Sequence, residues 1–441
     1  MQLNPGTSIR GTVAALTAAL LGQNAASAAD QNHSDISLLL YSEAQRVSSA
    51  EASWNVLKQL NLSYSMGLTL TYDGLTGASP TGATPSNKLQ TFTGPSGGTS
   101  RVIKPGEIPL DPNFKDNRFA FDGSLSRLLD RLSMVTFGTH LSKEKDYTSL
   151  GVNGGITHDF NRKNTTVGLS GSYSHDIAAA VGGIPVPFDS VATSTAIGGG
   201  GGGGGEGDGF GDGEQHIGVS GHEIKNTADF VFGVSQILDR RTVLRMNYSF
   251  DQSKGYNNDP YKILSVVANQ SAAEPGEPVR YVYENRPGLR TKRAVYGEVL
   301  RSIARHTVDL SYRYFWDDWG IRSKTADLSV RLQAHDGSAL EPHLRWYTQT
   351  RANFYHPFLI DGSAYPQYAS ADSRLANFNA YTIGMKYSFP VGEDSRVMVT
   401  AEYYFQRGDT SPPEAFGSLR GYKLFPNMDA GMLRVGYAHN F

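Results

Sequence analysis

The clearest chemical pattern in the sequence is the nine-residue segment YDGLTGASP, which contains Asp73, Thr76, Gly77, Ala78 and Ser79. A hydroxyl among small residues can be approached closely by a modifying enzyme, so Ser79 is a candidate acceptor of a covalent group. The alternative is a Gly/Pro turn that leaves a strand. In that case Asp73 and Thr76 make local side-chain hydrogen bonds to the backbone.

The core Asp-x-x-Thr-Gly-Ala-Ser resembles the acceptor sequence of proteins that carry FMN covalently through a phosphoester. In those proteins a flavin transferase modifies the final Ser or Thr. The resemblance implies that Ser79 is the acceptor and that Asp73, Thr76, Gly77 and Ala78 are recognition residues. The sequence departs from the pattern in two ways: Ser79 stands where Thr is commoner, and a proline follows it.

Side chains that could serve a hydrolase occur at Glu341, His343 and the tight turn WDDW at 316–319. A chain of this length offers such sets by chance, and it contains neither a Gly-x-Ser-x-Gly elbow nor a His-Glu-x-x-His helix motif. We therefore predict that the protein is not an enzyme. The tryptophans of the WDDW turn are interpreted as anchors at a membrane interface.

The composition narrows the class of protein. The 441 residues carry a formal net charge of -2 and include no cysteine. Near-neutral charge gives no electrostatic reason to expect nucleic acid as a partner. The lack of cysteine excludes disulfides, thiolate metal sites and a lipid-anchored lipoprotein. Abundant Gly (49), Tyr (23) and Phe (20) with only 39% hydrophobic residues suits membrane strands with aromatic girdles better than a soluble core.

Alternation with period two predicts strands through most of the chain. Leu310, Tyr312 and Tyr314 alternate with Asp309 and Arg313, for example. We predict sixteen strands, near 36–44, 46–57, 60–73, 118–129, 132–142, 147–160, 165–175, 221–237, 242–253, 292–304, 307–318, 322–334, 339–354, 376–389, 396–408 and 428–441.

The lengths of the connectors separate a membrane barrel from a soluble sandwich. The five longest predicted connectors are 74–117, 176–220, 254–291, 355–375 and 409–427, and all follow odd-numbered strands. Connectors after even-numbered strands are tight, as at 161–164. Long loops on one side and short turns on the other are typical of outer-membrane barrels. The sequence thus predicts an all-β, antiparallel, up-and-down transmembrane barrel of about 16 strands, with long extracellular loops and short periplasmic turns.

The two chain ends carry export and assembly signals. Residues 1–28 have the features of a signal peptide: Arg10, an apolar run at 13–21 and the small-x-small site Ala26-Ser27-Ala28, so the mature barrel spans 29–441. The last strand ends in the aromatic residue Phe441 and resembles the terminal strand recognised by the barrel-assembly machinery. These features predict the Gram-negative outer membrane as the location, with its lipid as a partner.

One connector, 176–220, contains an unbroken glycine run at 198–205 followed by acidic residues. Glycine loses the most backbone entropy on ordering, so this connector is predicted to be a long flexible loop. Its spacing does not match a calcium-binding repeat, and we predict no metal site.

The predicted inward face carries both signs of charge, which leaves two interpretations. Such residues can line a water-filled pore, or they can pair across the interior and narrow it. The residues are Arg245, Asp251, Asp309, Arg313, Asp327, Arg331, Glu341, Arg345, Arg351, Lys386, Glu402 and Arg434.

Several loop segments resemble an uncharacterised family of Gram-negative outer-membrane barrels. The residues that carry the resemblance are 72–80, DPYKILS at 259–265, YVYENRP at 281–287 and ADSRL at 371–375. The resemblance implies an outer-membrane barrel without established activity, often encoded beside a small lipoprotein and a flavin transferase, which are then candidate partners.

The leading hypothesis is a channel or scaffold in the outer membrane with an unknown cargo. One alternative is a covalently flavinylated component of an extracytoplasmic electron-transfer system, and another is a surface-binding protein. Strand parity places Ser79 on the extracellular side, whereas a flavin transferase acts in the periplasm. Either modification at Ser79 precedes insertion into the membrane, or the topology is inverted.

Overall fold

The structure is a computed structural model that describes residues 32–44, 46–92, 101–191 and 221–441. The predicted signal peptide and the glycine run at 198–205 lie outside these residues. Among the described residues, no helix has the length and apolar character needed to span a membrane.

The described chain forms twenty-one strands and three short 3-10 turns. Their bounds are β1 His33–Glu43, β2 Ser48–Gln59, β3 Tyr64–Pro80, β4 Gln90–Phe92, β5 Arg101–Ile103, β6 Leu110–Leu128, β7 Ser133–Lys143, β8 Tyr147–Phe160, β9 Thr165–Ala178, β10 Glu223–Asp239, β11 Thr242–Gly255, β12 Ile263–Val267, β13 Pro278–Tyr283, β14 Leu289–Ile303, β15 His306–Asp317, β16 Arg322–Gln333, β17 Ala339–Gln349, β18 Leu359–Ile360, β19 Phe378–Pro390, β20 Ser395–Gly408 and β21 Met428–Asn440. The 3-10 turns are Asn161–Lys163, Ser373–Leu375 and Gly417–Gly421.

Sixteen of these strands close into one barrel, in the order β1-β2-β3-β6-β7-β8-β9-β10-β11-β14-β15-β16-β17-β19-β20-β21. Each pairs antiparallel with its neighbours in sequence, and β21 closes the ring against β1 through pairs such as Leu38 with Val435. The predicted fold class, strand number and up-and-down topology are confirmed.

The two faces of the barrel wall differ in polarity as the alternation predicted. Large apolar side chains point outward and stay exposed; Leu310 is 52% and Val435 44% exposed. Inward positions on β7–β10 are mostly small and polar, and many of them, such as Thr136, Ser170 and Ser174, are buried. A closed sheet with an apolar outside and a polar inside leaves no unpaired edge in lipid.

Three strand boundaries differ from the prediction by five or more residues, all at the end of the barrel that carries the long connectors. Strand β3 continues to Pro80 instead of ending at 73, and β6 begins at Leu110 instead of 118. The interpretation of YDGLTGASP as a turn is therefore wrong, because its residues pair with β6 as far as Pro80. Strand β17 ends at Gln349 instead of 354. Ala352 and Phe354, beyond the end of β17, instead pack in a cluster of buried apolar residues with Trp319, Ile321 and Leu375.

The described residues of the five long connectors, 81–109, 179–222, 256–288, 350–377 and 409–427, fold together; we call this assembly the cap. Its centre is a small sheet in the order β13-β12-β18. Apolar clusters join different connectors: Val267, Phe358 and Leu419, for example, come from three of them. A packed core shows that these loops form a defined structure over one end of the barrel.

Candidate functional site

Contacts between connectors show that the cap crosses the mouth of the barrel. The connector 256–288 follows the ninth barrel strand. It donates a backbone hydrogen bond from Ile263 to Thr81, beyond the third strand, and accepts one at Pro275 from Ser418, beyond the fifteenth. Both partners are six strands away in a ring of sixteen. Residues so far apart on the ring can meet only over the opening.

Within the cap lies a network of six charged residues, which we call the clasp: Asp259, Lys262, Glu284, Arg286, Asp372 and Arg374. Asp372 is its centre. Arg286 donates from Nη2 to Asp372 Oδ2 at 2.8 Å, and Arg374 donates from Nε to Asp372 Oδ1 at 2.9 Å. Arg374 also reaches Asp259 Oδ2 at 2.6 Å. The clasp therefore binds the connector 256–288 to the connector 350–377.

The clasp is electrically balanced, with three acidic and three basic side chains, and is buried except at Arg374, whose side chain is 36% exposed. Asp372 and Glu284 are each 2% exposed. Burial alone would raise the pKa of Asp372, but the guanidinium groups of Arg374 and Arg286 hold it well below its ordinary value. Buried ion pairs of this kind contribute little net stability, yet removal of one member leaves an uncompensated charge. The clasp is thus sensitive to single substitutions.

The remaining cation of the clasp, Lys262, connects the cap to the barrel wall. Its Nζ donates to the carbonyl oxygen of Pro80 at 2.5 Å and lies 3.4 Å from Ser79 Oγ. Lys262 is 6% exposed. The predicted acceptor Ser79 is half-buried and lies in the ladder between β3 and β6, opposite Asp111.

The other residues of the predicted acceptor motif have structural contacts in the folded chain and do not converge on Ser79. Asp73 is buried and accepts from Arg118 Nε at 2.7 Å. Thr76 is exposed, and Ala78 donates its backbone N–H to Arg46. Gly77 has a φ of +139°, and a Cβ there would lie 2.3 Å from the carbonyl oxygen of Arg46. Only glycine permits this approach.

The folded surroundings of Ser79 do not fit a phosphoester-linked FMN. The hydroxyl faces the buried ammonium of Lys262, and Ser79 is not among the residues that line the cavity under the cap. A flavin ring attached to Ser79 would require the cap to be displaced. Flavin attachment at Ser79 stays a prediction.

A cavity of about 370 Å³ lies between the clasp and the barrel wall. This volume holds about a dozen water molecules. Both sides contribute charged groups to its lining: the cap contributes clasp residues and the wall contributes Lys225, Lys292 and Arg313. Several wall cations are paired with acids: Lys292 lies 3.3 Å from Asp251, and Lys225 lies 3.5 Å from Asp176.

One side of the cavity carries three carboxylates, Asp116, Glu144 and Asp146, whose oxygens lie within 4.8 Å of one another. Tyr261 of the cap donates its hydroxyl to Asp146. Burial and the nearby Asp116 carboxylate raise the pKa of Glu144 to about 8. At neutral pH Glu144 therefore retains a proton, which limits repulsion among the three groups.

This raised pKa predicts that the cap loosens as the pH increases. The folded state binds a proton at Glu144 that the unfolded state, with an ordinary pKa of 4.5, releases. Stability therefore falls as pH rises from about 4.5 through 8. One pKa unit corresponds to about 1.4 kcal/mol, so the loss reaches at most a few kcal/mol. We expect proteolysis within 256–288 to accelerate at pH 8.5 relative to pH 6.

Glu144→Gln should remove most of this acceleration, because the amide carries no charge at either pH. The ratio of cleavage rates in variant and wild type cancels the protease's own pH dependence. Glu107→Gln changes an exposed carboxyl at the same end of the barrel and should behave as wild type. Equal pH dependence of cleavage in wild type and Glu144→Gln would show that Glu144 is not the group whose titration loosens the cap.

Deeper in the barrel, many of the predicted inward charges are paired. Arg245 lies 3.1 Å from Glu298 and Lys386 lies 2.7 Å from Glu341. His343 contacts both Glu402, at 2.7 Å, and Asp327, at 3.2 Å. Glu341 and His343 thus share a face but bind different partners. These pairs join strands one or two places apart in the wall, so they neutralise charge along the inner face without crossing the lumen.

Two sequence-based placements are wrong at the capped end. Trp319 is not an interface anchor: it is 4% exposed, packs on Phe354 at 4.9 Å between ring centroids and lies under Arg290. Arg351 is not on the inward face; it belongs to the cap and pairs with Glu414 at 2.7 Å. The prediction placed Trp319 in an exposed turn and Arg351 in a barrel strand. In the structure, both residues instead pack in or against the cap.

The sequence profile of a family described as "Protein of unknown function (DUF3570)" matches residues 10–439. The chain belongs to this family. Within this DUF3570 protein, the loop segments noted from sequence converge: DPYKILS, YVYENRP and ADSRL supply all six clasp residues, and YDGLTGASP contacts Lys262. No sequence pattern indicated the three cavity carboxylates, which come from a strand and a tight connector that only folding brings together.

No curated protein matches the chain. Among solved structures, it is similar to a CymD monoaromatic hydrocarbon channel, with 7% identity, a TM-score of 0.40 and coverage of 96% of this chain and 91% of that one. It is also similar to a bacterial polysaccharide outer membrane secretin, with 8% identity, a TM-score of 0.44 and coverage of 94% and 100%. A third is Pseudomonas aeruginosa OccK2 (OpdF) in complex with glucuronate, with 9% identity, a TM-score of 0.40 and coverage of 94% and 98%. At such identities the ligands of those proteins have no bearing on this chain.

Proposed function

We propose that this protein is an outer-membrane channel for small polar solutes, closed at its outer mouth by the cap. The observation that carries the proposal is the sidedness of the closed wall: exposed apolar residues outside, charged and hydroxyl side chains inside. Such a wall is stable in lipid and leaves a polar interior. The predicted signal peptide at 1–28 supports export to that membrane.

The proposed orientation places the cap outside the cell and the tight turns in the periplasm. It follows the general arrangement of long extracellular loops and short periplasmic turns. The buried clasp and the apolar clusters of the cap favour a closed resting state. Passage then requires separation of connectors 256–288 and 350–377, which are joined at the clasp.

A disulfide across the cap tests the channel directly, because the chain contains no cysteine. Asn285 and Ala369 exchange two backbone hydrogen bonds, of 2.9 and 2.8 Å, between the two connectors. Hydrogen-bonded antiparallel pairs have Cα atoms about 5.5 Å apart, within disulfide range. We expect the double variant Asn285→Cys, Ala369→Cys to lose conductance in planar bilayers when oxidised and to regain it on reduction.

A single cysteine variant, Asn285→Cys, is the matched control and should not respond to reductant. Wild-type protein that is folded but carries no current in any state would reject the channel and leave the scaffold or surface-binding alternatives. Folding is checked by a heat-dependent mobility shift on a gel of outer membranes. The same gel, run on cells that co-express a flavin transferase, tests flavin attachment at Ser79. A fluorescent barrel band that is lost in Ser79→Ala establishes attachment, and a wild-type band without fluorescence rejects it.

A further inference from the structure

The end of the barrel opposite the cap carries a one-sided cluster of positive charge. Four successive tight turns join β6 to β7, β8 to β9, β10 to β11 and β14 to β15. These turns, with the last residues of β14, hold seven exposed cations, which we call the basic arc: Arg131, Arg162, Lys163, Arg240, Arg241, Arg301 and Arg305. Neighbouring turns are two strands, or about 10 Å, apart.

The remaining tight turns at this end carry no Lys or Arg. They lie at 60–63, 334–338 and 391–394, and their charged residues are Asp336, Glu393 and Asp394. The short β1–β2 connector lies at the other end, with the cap. The exposed cations are therefore concentrated on one contiguous part of the rim; near the other turns, Lys58 is exposed and Arg396 is partly buried.

Backbone hydrogen bonds fix the four turns to one another's strands. The carbonyl of Leu132 accepts from Asp159, that of Asn164 accepts from Ile237, and that of Arg241 accepts from Ser302. The basic arc therefore sits on a continuous, ordered rim and not on independent loops.

The acidic residues near the basic arc accept hydrogen bonds from the backbone of their own turns. Asp130 accepts from the backbone N–H groups of Leu132 and Ser133, each at 2.7 Å. Asp239 likewise accepts from the backbone of Arg241 at 2.7 Å. The closest ion pairs to basic-arc residues are long, 3.9 Å for both Lys163–Asp159 and Arg301–Asp239.

Four cations of the basic arc, Arg131, Arg162, Arg240 and Arg241, form no ion pair within the described part of the chain. The turn that holds Arg162 is also strained: Asn161, Arg162 and Lys163 have φ values of 50°, 55° and 69°. Non-glycine residues in this left-handed region are costly, and such strain accumulates at functional sites. The chain thus holds these four cations at the rim without an ion-pair partner among the described residues.

Exposed apolar side chains accompany the cations in every turn. They are Leu129 and Leu132, Phe160, Leu238 and Ile303, each between 42% and 58% exposed. They continue the apolar band of the outer wall to the rim. Guanidinium groups beside such residues lie at the depth of lipid phosphates, where long basic side chains reach polar groups from an apolar surface.

We infer that the basic arc binds the phosphate groups of anionic phospholipids in the inner leaflet of the membrane. Guanidinium forms bidentate hydrogen bonds with phosphate oxygens, and clusters of Lys and Arg at a membrane surface select anionic lipid. The apolar neighbours favour lipid over an acidic protein, which would dock from the aqueous side without contact at acyl-chain depth. This inference rests on the proposed membrane location of the barrel.

Spin-labelled lipids in reconstituted bilayers test the inference. In phosphatidylcholine vesicles, we expect the wild-type barrel to immobilise labelled phosphatidylglycerol about threefold or more over labelled phosphatidylcholine. The variant Arg131→Gln, Arg162→Gln, Arg240→Gln, Arg241→Gln should lose this preference. The matched control changes four exposed cations at the capped end, Lys104→Gln, Lys115→Gln, Lys143→Gln, Arg322→Gln, and should retain it.

Two results would overturn the inference. One is a wild-type barrel without lipid preference, including one that instead binds an acidic polypeptide such as polyglutamate through the basic arc. The other is equal loss of preference in the control variant. Heat-dependent mobility of every variant, measured in the same vesicles, shows separately whether the barrel is membrane-embedded, so failure of the proposed location and failure of lipid binding are distinguished.

Discussion

Asp372→Asn should raise the open probability of the channel in planar bilayers by about a hundredfold or more. The substitution leaves the nearly buried Arg286, 9% exposed, and the partly exposed Arg374, 36% exposed, without their shared carboxylate, from which they now lie 2.8 and 2.9 Å in the clasp. Removing one partner from a buried ion pair costs about 3–5 kcal/mol, and each 1.4 kcal/mol is a tenfold change in an equilibrium. Because the two arginines belong to different connectors, the cost is relieved when the connectors separate.

An exposed ion pair provides the matched control for this prediction. Arg280 and Asp361 join the same two connectors at 2.7 Å, but their side chains are 43% and 39% exposed. Exposed pairs contribute about 0–1 kcal/mol, so Asp361→Asn should change the open probability by less than about fivefold. Equal effects of the two substitutions would show that the clasp does not hold the cap closed.

The barrel could be predicted from sequence because its determinants are local. Alternation along each strand fixes which face meets lipid, and connector length fixes the side on which each turn lies. Leu310 and Arg313 occupy the faces that their spacing requires. Errors in strand bounds occur mainly where β3, β6 and β17 meet the cap, because pairing there depends on connectors distant in sequence.

The cap could not be predicted from alternation or composition. Its core is built from residues of separate connectors, such as Val267 and Leu419, whose proximity depends on the closure of the ring. Long connectors are usually interpreted as mobile surface loops. The one available signal was the resemblance of three loop segments to a family, and that signal marked the clasp residues without showing their contacts.

The motif at Asp73–Ser79 was wrongly predicted to form a turn, also because its contacts come from residues distant in sequence. Small residues next to proline usually indicate a turn. In the folded chain Gly77 is small because the carbonyl of Arg46 approaches it, and Asp73 is required to pair with Arg118. A pattern of small and polar residues can arise from close packing between hairpins as readily as from a modified turn.

The proposal of a channel depends on a wall with an apolar outer face and a polar inner face. This difference between the faces predicts opposite outcomes for two nearby substitutions in β16. Leu328→Arg should reduce assembly strongly. Leu328 lies midway along the strand on the outer face, opposite Leu310 on one neighbour and Leu344 on the other. A charge facing lipid near the midplane costs about 2–4 kcal/mol.

Arg331→Leu should assemble nearly as well as wild type, because Arg331 faces the lumen and its Nε donates only to Gln333, at 3.2 Å. The fraction of barrel with heat-dependent mobility in outer membranes measures both variants. If both substitutions reduced assembly equally, the assignment of the faces of β16 would fail, and with it the apolar exterior that the proposed channel requires. Strong loss only in Leu328→Arg establishes that the leucine face meets lipid and the arginine face meets the polar interior.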